Sequence, residues 1–126
     1  MARQDRHHGY DLDRWVAARE QARGILVGCA RRRETIPYSE LAVSLPAIRF
    51  SPRAPAFHEL LAEVCTSADA ERGVMLASLV VHKGGDRMPG DGYFSHAAHL
   101  GRDTVKRRAF WQDEVAAVYR AFSEED

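Results

Sequence analysis

Between Asp11 and Arg33 the apolar residues Leu12, Trp15, Val16, Ala22, Ile25, Leu26 and Cys29 recur three and four positions apart. That recurrence predicts one face of a long helix, because a helix returns to the same side at that interval. Asp11 can cap its start, and Arg31, Arg32 and Arg33 close it where cations complement the carbonyl end. Thr35–Pro37 is short and predicts an extended segment. Tyr38–Leu45 predicts a second helix, stopped before Pro46 because a residue preceding proline is driven out of the helical region. Pro46, Pro52 and Pro55 punctuate the following loop, and Pro55 suits a helix's first turn. Phe57, Leu60, Leu61, Val64, Cys65 and Ala68 mark that third helix, ending near Ala70.

The stretch Val74–His82 is different: apolar, without helical period, and lying between Gly73 and Gly84. It predicts a strand covered on both faces. A glycine-rich stretch follows, with Gly84–Gly85 and Pro89–Gly90 as backbone bends. Asp91 is expected to cap a short helix carrying Phe94, Ala97, Ala98 and Leu100, which Gly101 ends. Asp103 is the expected cap of a last helix with Phe110, Trp111, Val115, Val118, Tyr119 and Phe122 as its inward stripe. The predicted architecture is mainly α with a small β element, a winged-helix-like single domain with an extra C-terminal helix. In that layout the third helix faces the ligand and the glycine-rich loop is the wing. The domain is expected over 10–122, with flexible ends at 1–9 and 123–126.

Length and charge narrow the functional classes. A chain of 126 residues is one domain that can bury a core without metal or disulfides. Its 18 cations balance 18 acids, so composition does not advertise a basic nucleic-acid binder. Cys29 and Cys65 both fall inside helical patterns and are expected to be buried thiols in a reducing compartment. No apolar run is long enough to span a membrane and the first residues have no apolar signal core, so the expectation is a soluble cytoplasmic protein.

Three words, "IPYSELA", "ASLVVHKGGDRMPGDGYF" and "FWQDEVAAVY", carry a resemblance over most of residues 35–122. The chain resembles small uncharacterised bacterial and phage proteins with a Tyr-x-x-Leu helix start, a buried strand, a Pro-Gly-x-Gly-aromatic turn and a final Trp-containing helix. That resemblance implies a shared fold and a link to phage biology, with no activity attached. "YSELA" and "VVHKGGD" are also similar to the DNA-binding domain of the methylated-DNA cysteine methyltransferases. The Pro-Cys-His-Arg site of those enzymes is missing here, so the similarity implies the winged-helix layout and no alkyl transfer.

The candidate chemistry divides by class. The glycine-rich stretch lacks the third glycine of a dinucleotide loop and the Gly-Lys-Ser/Thr of a phosphate loop, so it reads as a structural turn. His96 and His99 are spaced to share a helix side, as some metal pairs are, but only Asp91 and His82 stand near in sequence as further ligands. Glu59 with Glu63, and Asp113 with Glu114, could serve acid–base work if desolvated. Glu59 and Glu63 fall opposite the Leu60, Leu61 and Val64 face, which predicts a solvated surface. No role is expected for His7 and His8, and no metal or cofactor is expected.

The cations cluster at helix ends and loops: Arg31–Arg33, Arg49 with Arg53, Lys83 with Arg87, and Arg102 with Lys106–Arg108. Such positions suit phosphate contacts. The leading expectation is non-catalytic DNA binding through Arg49 and Arg53 at the start of the third helix and Lys83 and Arg87 on the wing. Because the third helix carries Glu59 and Glu63, it is not expected to read a major groove. The alternative is a protein–protein interaction module, an adaptor, inhibitor or homodimer, using the apolar stripes of the first and last helices. A small metal- or acid/base-dependent enzyme ranks third.

Overall fold

The computed structural model describes residues 6–123 of the chain. Parts of the expected flexible ends, residues 1–5 and 124–126, lie outside the described residues. Two short strands, β1 (Arg6–His7) and β2 (Tyr10–Asp11), form an antiparallel hairpin with Arg6 opposite Asp11 and His7 opposite Tyr10. Its turn is His8–Gly9, with φ of 53° and 87°. Two left-handed residues in succession are what a tight hairpin needs, since their twist matches that of the strands.

Helix α1 (Leu12–Arg32) follows directly. Its buried face runs through Trp15, Ala18, Ala22, Leu26, Cys29 and Ala30. The alanines on that face let α3 (Pro55–Arg72) and α5 (Arg107–Ser123) pack closely on α1. Arg33 ends α1 in the left-handed region, its N–H donating to Ala30 and Cys29 carbonyls, which satisfies the chain's turn out of the helix. Helix α2 (Tyr38–Val43) is shorter than the expected 38–45. Ser44 takes the cap position, and Phe50 N–H then donates to Ala42 O, folding the proline-rich loop back over α2. Pro55 begins α3 as expected, and Gly73 ends it with φ 71°.

The expected strand Val74–His82 is mostly something else. Leu76–Leu79 forms a 3-10 turn, and only Val80–Val81, strand β4, is extended. β4 pairs parallel with β3 (Ile36–Pro37), Ile36 opposite Val80 and Pro37 opposite Val81. The ladder cannot lengthen, because Pro37 lacks an N–H and α2 begins at the next residue. Upstream, Ser78 N–H donates to Met75 O and closes the 3-10 turn instead. Val80 and Val81 are nonetheless fully buried, covered on both faces. The pairing is parallel, so the chain leaving β4 does not return as a paired ribbon. It makes a loop closed by His82 N–H donating to Met88 O at 3.0 Å.

Helix α4 (Asp91–His99) starts with Asp91 as its first residue, so Asp91 is not the cap; Gly90 holds that position. The Asp91 carboxylate instead accepts from Arg107 at 2.8 Å. Asp103 also does not cap α5: it closes a local turn by accepting from Val105 N–H, and the helix begins at Arg107.

The core has two parts. The larger lies among α1, α2, α3 and α5 and centres on Trp15, Leu26, Phe57, Leu60, Val118 and Phe122. The smaller, under α4, gathers Cys65, Met75, Met88, Tyr93, Phe94 and Ala97, flanked by Phe110 and Trp111. Ser78, the one polar side chain buried in this core among the described residues, bonds Tyr93 OH, and Trp111 Nε1 donates to the Ser78 carbonyl. No helix among the described residues is long and apolar enough to cross a membrane.

Candidate functional site

Tyr38, the first residue of α2, stands at the centre of one exposed face. Its ring lies 5.6 Å from the His58 ring of α3 and 5.2 Å from the His82 ring at the end of β4. Its hydroxyl accepts the Gly90 N–H at 3.1 Å, which joins α2 to the start of α4. Burial pushes the Tyr38 phenol above its ordinary pKa, and the Gly90 bond offsets only part of that. Gly90 marks a close approach: a Cβ would sit 3.2 Å from His82 Nε2, so a larger residue would push the His82 ring aside. The Pro-Gly-x-Gly-aromatic turn is thus the seam where α2, β4 and α4 meet, with Tyr93 and Phe94 driven into the smaller core. Its backbone N–H at Gly90 is already satisfied by Tyr38.

His58 Nε2 lies 2.9 Å from the Pro52 carbonyl and donates to it, which ties the row to the loop before α3. Arg53 follows Pro52 in that loop and Lys83 follows His82, so one cation adjoins each end of the row in sequence. Arg49, Arg53, Lys83 and Arg87 are all exposed. Their side chains make no hydrogen bond or ion pair within the described residues. Beneath the row lies a cavity of about 360 Å3, lined among others by Tyr38, His58, Leu61, Tyr93 and His96.

Most cations of the other sequence clusters are engaged, Lys106 being exposed without a side-chain partner among the described residues. Arg32 pairs with Glu34 at 2.9 Å, and Arg33 sits over the Tyr119 ring. Arg102 pairs with Asp69 at 2.6 Å and caps the Gly73 carbonyl. Arg107 and Arg108 pair with Asp91 and Asp86. Asp86 is a chain neighbour of Arg87, yet its carboxylate goes to α5 and leaves Arg87 unpaired.

The acid pairs separate in the same way. Glu59 is exposed, but Glu63 is half-buried and not the solvated residue expected. It accepts from Trp15 Nε1 at 2.9 Å and Arg19 at 2.7 Å through one oxygen, and lies 2.8 Å from His7 Nε2 through the other. Desolvation pushes its carboxyl up, but the bonds from Trp15, His7 and Arg19 outweigh it and hold the pKa below the ordinary value. Glu114 accepts the Met75 N–H at 2.8 Å, a structural role, while Asp113 is exposed. His96 and His99 stack at 6.2 Å, and His96 Nε2 lies 3.1 Å from Thr66 Oγ1. Burial, then the nearby His99, lowers the His96 pKa. Asp91 is turned to Arg107 and His82 to Tyr38, so neither of the two residues near them in sequence completes a ligand set.

His7 and His8, given no role from sequence, are brought against Trp15 and Glu63 by the hairpin. The local signal was Gly9 before Tyr10, a residue that takes the left-handed backbone a two-residue turn needs. No protein-family model, curated protein or solved structure matches the chain.

Proposed function

We infer that the protein binds nucleic acid without catalysis, through phosphate contacts from Arg49, Arg53, Lys83 and Arg87. The observation that carries this reading is that these four exposed cations have no acid partner, while most others are engaged within the fold. An unpaired surface cation can contact a phosphate without first giving up an internal acid. Tyr38, His58 and His82 offer ring faces on which an unpaired base at a frayed end or in a single strand can stack. In this reading the fold is winged-helix-like, with the exposed loop 82–90, bearing Lys83 and Arg87, serving as the wing and α5 as the added helix. Helix α3 does not enter a groove, because Glu59 and Glu71 are exposed on it.

The test is fluorescence anisotropy of a labelled random DNA duplex titrated with the protein across salt. Four phosphate contacts give a slope of log K against log salt of about −3.6, or a fall of roughly a hundredfold between about 50 and 200 mM. Arg49→Ala/Arg53→Ala should bind more weakly and flatten the slope by about half. Absence of binding at low salt ends this reading. A protein partner would use a different face, where Leu12 and Val16 are exposed one turn apart on α1.

A further inference from the structure

The hairpin carries a second arrangement that the phosphate-binding face does not use. Adjacent residues of a strand point to opposite sides. His8, at φ 53°, breaks that alternation, and both imidazoles land on the same side over Trp15. The two histidine rings are 4.5 Å apart, and they lie 5.0 and 4.8 Å from the indole. Glu63 comes from α3, 56 residues along the chain from His7, and its Oε2 faces His7 Nε2 at 2.8 Å. One ligand atom from each of His7, His8 and Glu63 falls within 4.8 Å of the others.

We propose that His7, His8 and Glu63 form a binding site for a divalent transition metal of the zinc class. Two imidazoles and one carboxylate are the donor set such a metal prefers, whereas calcium and magnesium take oxygen alone. The carboxylate is already oriented as a ligand, because Trp15 and Arg19 hold Oε1 and leave Oε2 to the metal. Bonds of this kind to a ligand's far atom fix its direction and are half of a working metal site. The metal takes the place of the proton between His7 Nε2 and Glu63 Oε2, and that proton goes to solvent. Arg19 beside the carboxylate opposes the added charge, which sets the affinity below that of closed structural zinc sites. Three protein donors leave a coordination position open. That position faces an open groove of about 660 Å3, whose lining also includes Glu59, Thr66, His96 and His99.

The test is titration calorimetry of the full chain with zinc chloride, with circular dichroism as the fold control. His8→Ala is the decisive variant, since His8 is exposed and contributes only ring contacts. One zinc per chain is expected for the wild type, with affinity at least tenfold weaker in His8→Ala and in Glu63→Gln, and unchanged in His96→Ala/His99→Ala. Nickel should also quench Trp15 emission in the wild type and fail to do so in His8→Ala. No saturable zinc binding, unaltered affinity in His8→Ala, or loss only in the His96/His99 variant would each overturn the proposal.

Discussion

Removing the Glu63 carboxylate tests the contact that holds the N-terminal hairpin and α1 to α3. Trp15 is fully buried and its Nε1–H donates to Glu63 Oε1. In Glu63→Ala that donor is left buried without an acceptor, which costs about 1–3 kcal/mol. The bonds from Arg19 and His7 are half-exposed and add about 0–1 kcal/mol more. A loss of about 2 kcal/mol lowers the melting temperature of a domain this size by about 6–10 °C. Glu63→Gln keeps a carbonyl oxygen for Trp15 and loses only the charge, so its loss should be about half or less. The sign with pH follows from the lowered carboxyl pKa of the folded chain. The stabilisation is complete above the ordinary glutamate value and disappears as pH falls through the lowered one. The wild type should therefore exceed Glu63→Gln near neutrality and converge with it in acid. The assay is thermal unfolding followed by circular dichroism, with a chelator present so that no metal contributes. An alanine variant as stable as the wild type, or a glutamine variant as unstable as alanine, would mean that the Trp15–Glu63 bond does not carry this stability.

Two further outcomes follow from burial and backbone. Burial pushes the Cys65 thiol up to about 12 and also raises Cys29, so neither should react with a thiol reagent near neutral pH until denaturant is added; rapid native labelling would contradict this. Gly73→Ala meets no atom within 4 Å but must hold φ 71°, so it should cost about 1 kcal/mol by denaturant unfolding, while Gly24→Ala, equally open inside α1, should stabilise by about 0.5–1 kcal/mol.

The helices were legible because their burial is one-sided. Trp15, Ala22 and Leu26 in α1, and Phe57, Leu60, Leu61 and Val64 in α3, repeat at helical intervals and are buried. Val74–Val81 had no such signature. Val74, Met75, Leu76, Leu79, Val80 and Val81 are all buried, so hydrophobicity carries no period and cannot separate a strand from a 3-10 turn. What decides it is the partner, Ile36–Pro37, which is too short to pair with more than two residues. The cations at Arg49, Arg53, Lys83 and Arg87 were legible as positions at helix ends and loops. Their lack of partners was not: for Arg87 it depends on Asp86 reaching Arg108 on α5 rather than its chain neighbour. Glu63 misled for the same reason. It lies off the Leu60 and Leu61 face, and only the folded hairpin brings His7 onto it. The clue to that hairpin was local, in the His-Gly turn, but its destination was not.

The proposed phosphate-binding role of Arg49, Arg53, Lys83 and Arg87 is open to one direct measurement, backbone amide spectra of the labelled protein titrated with a short DNA duplex at low salt. Shifts are expected to concentrate at Arg49, Arg53, His58, Tyr38, Lys83 and Arg87 and to reverse on adding salt. Unchanged spectra, or shifts confined to Leu12–Val16 and α5, would contradict that role.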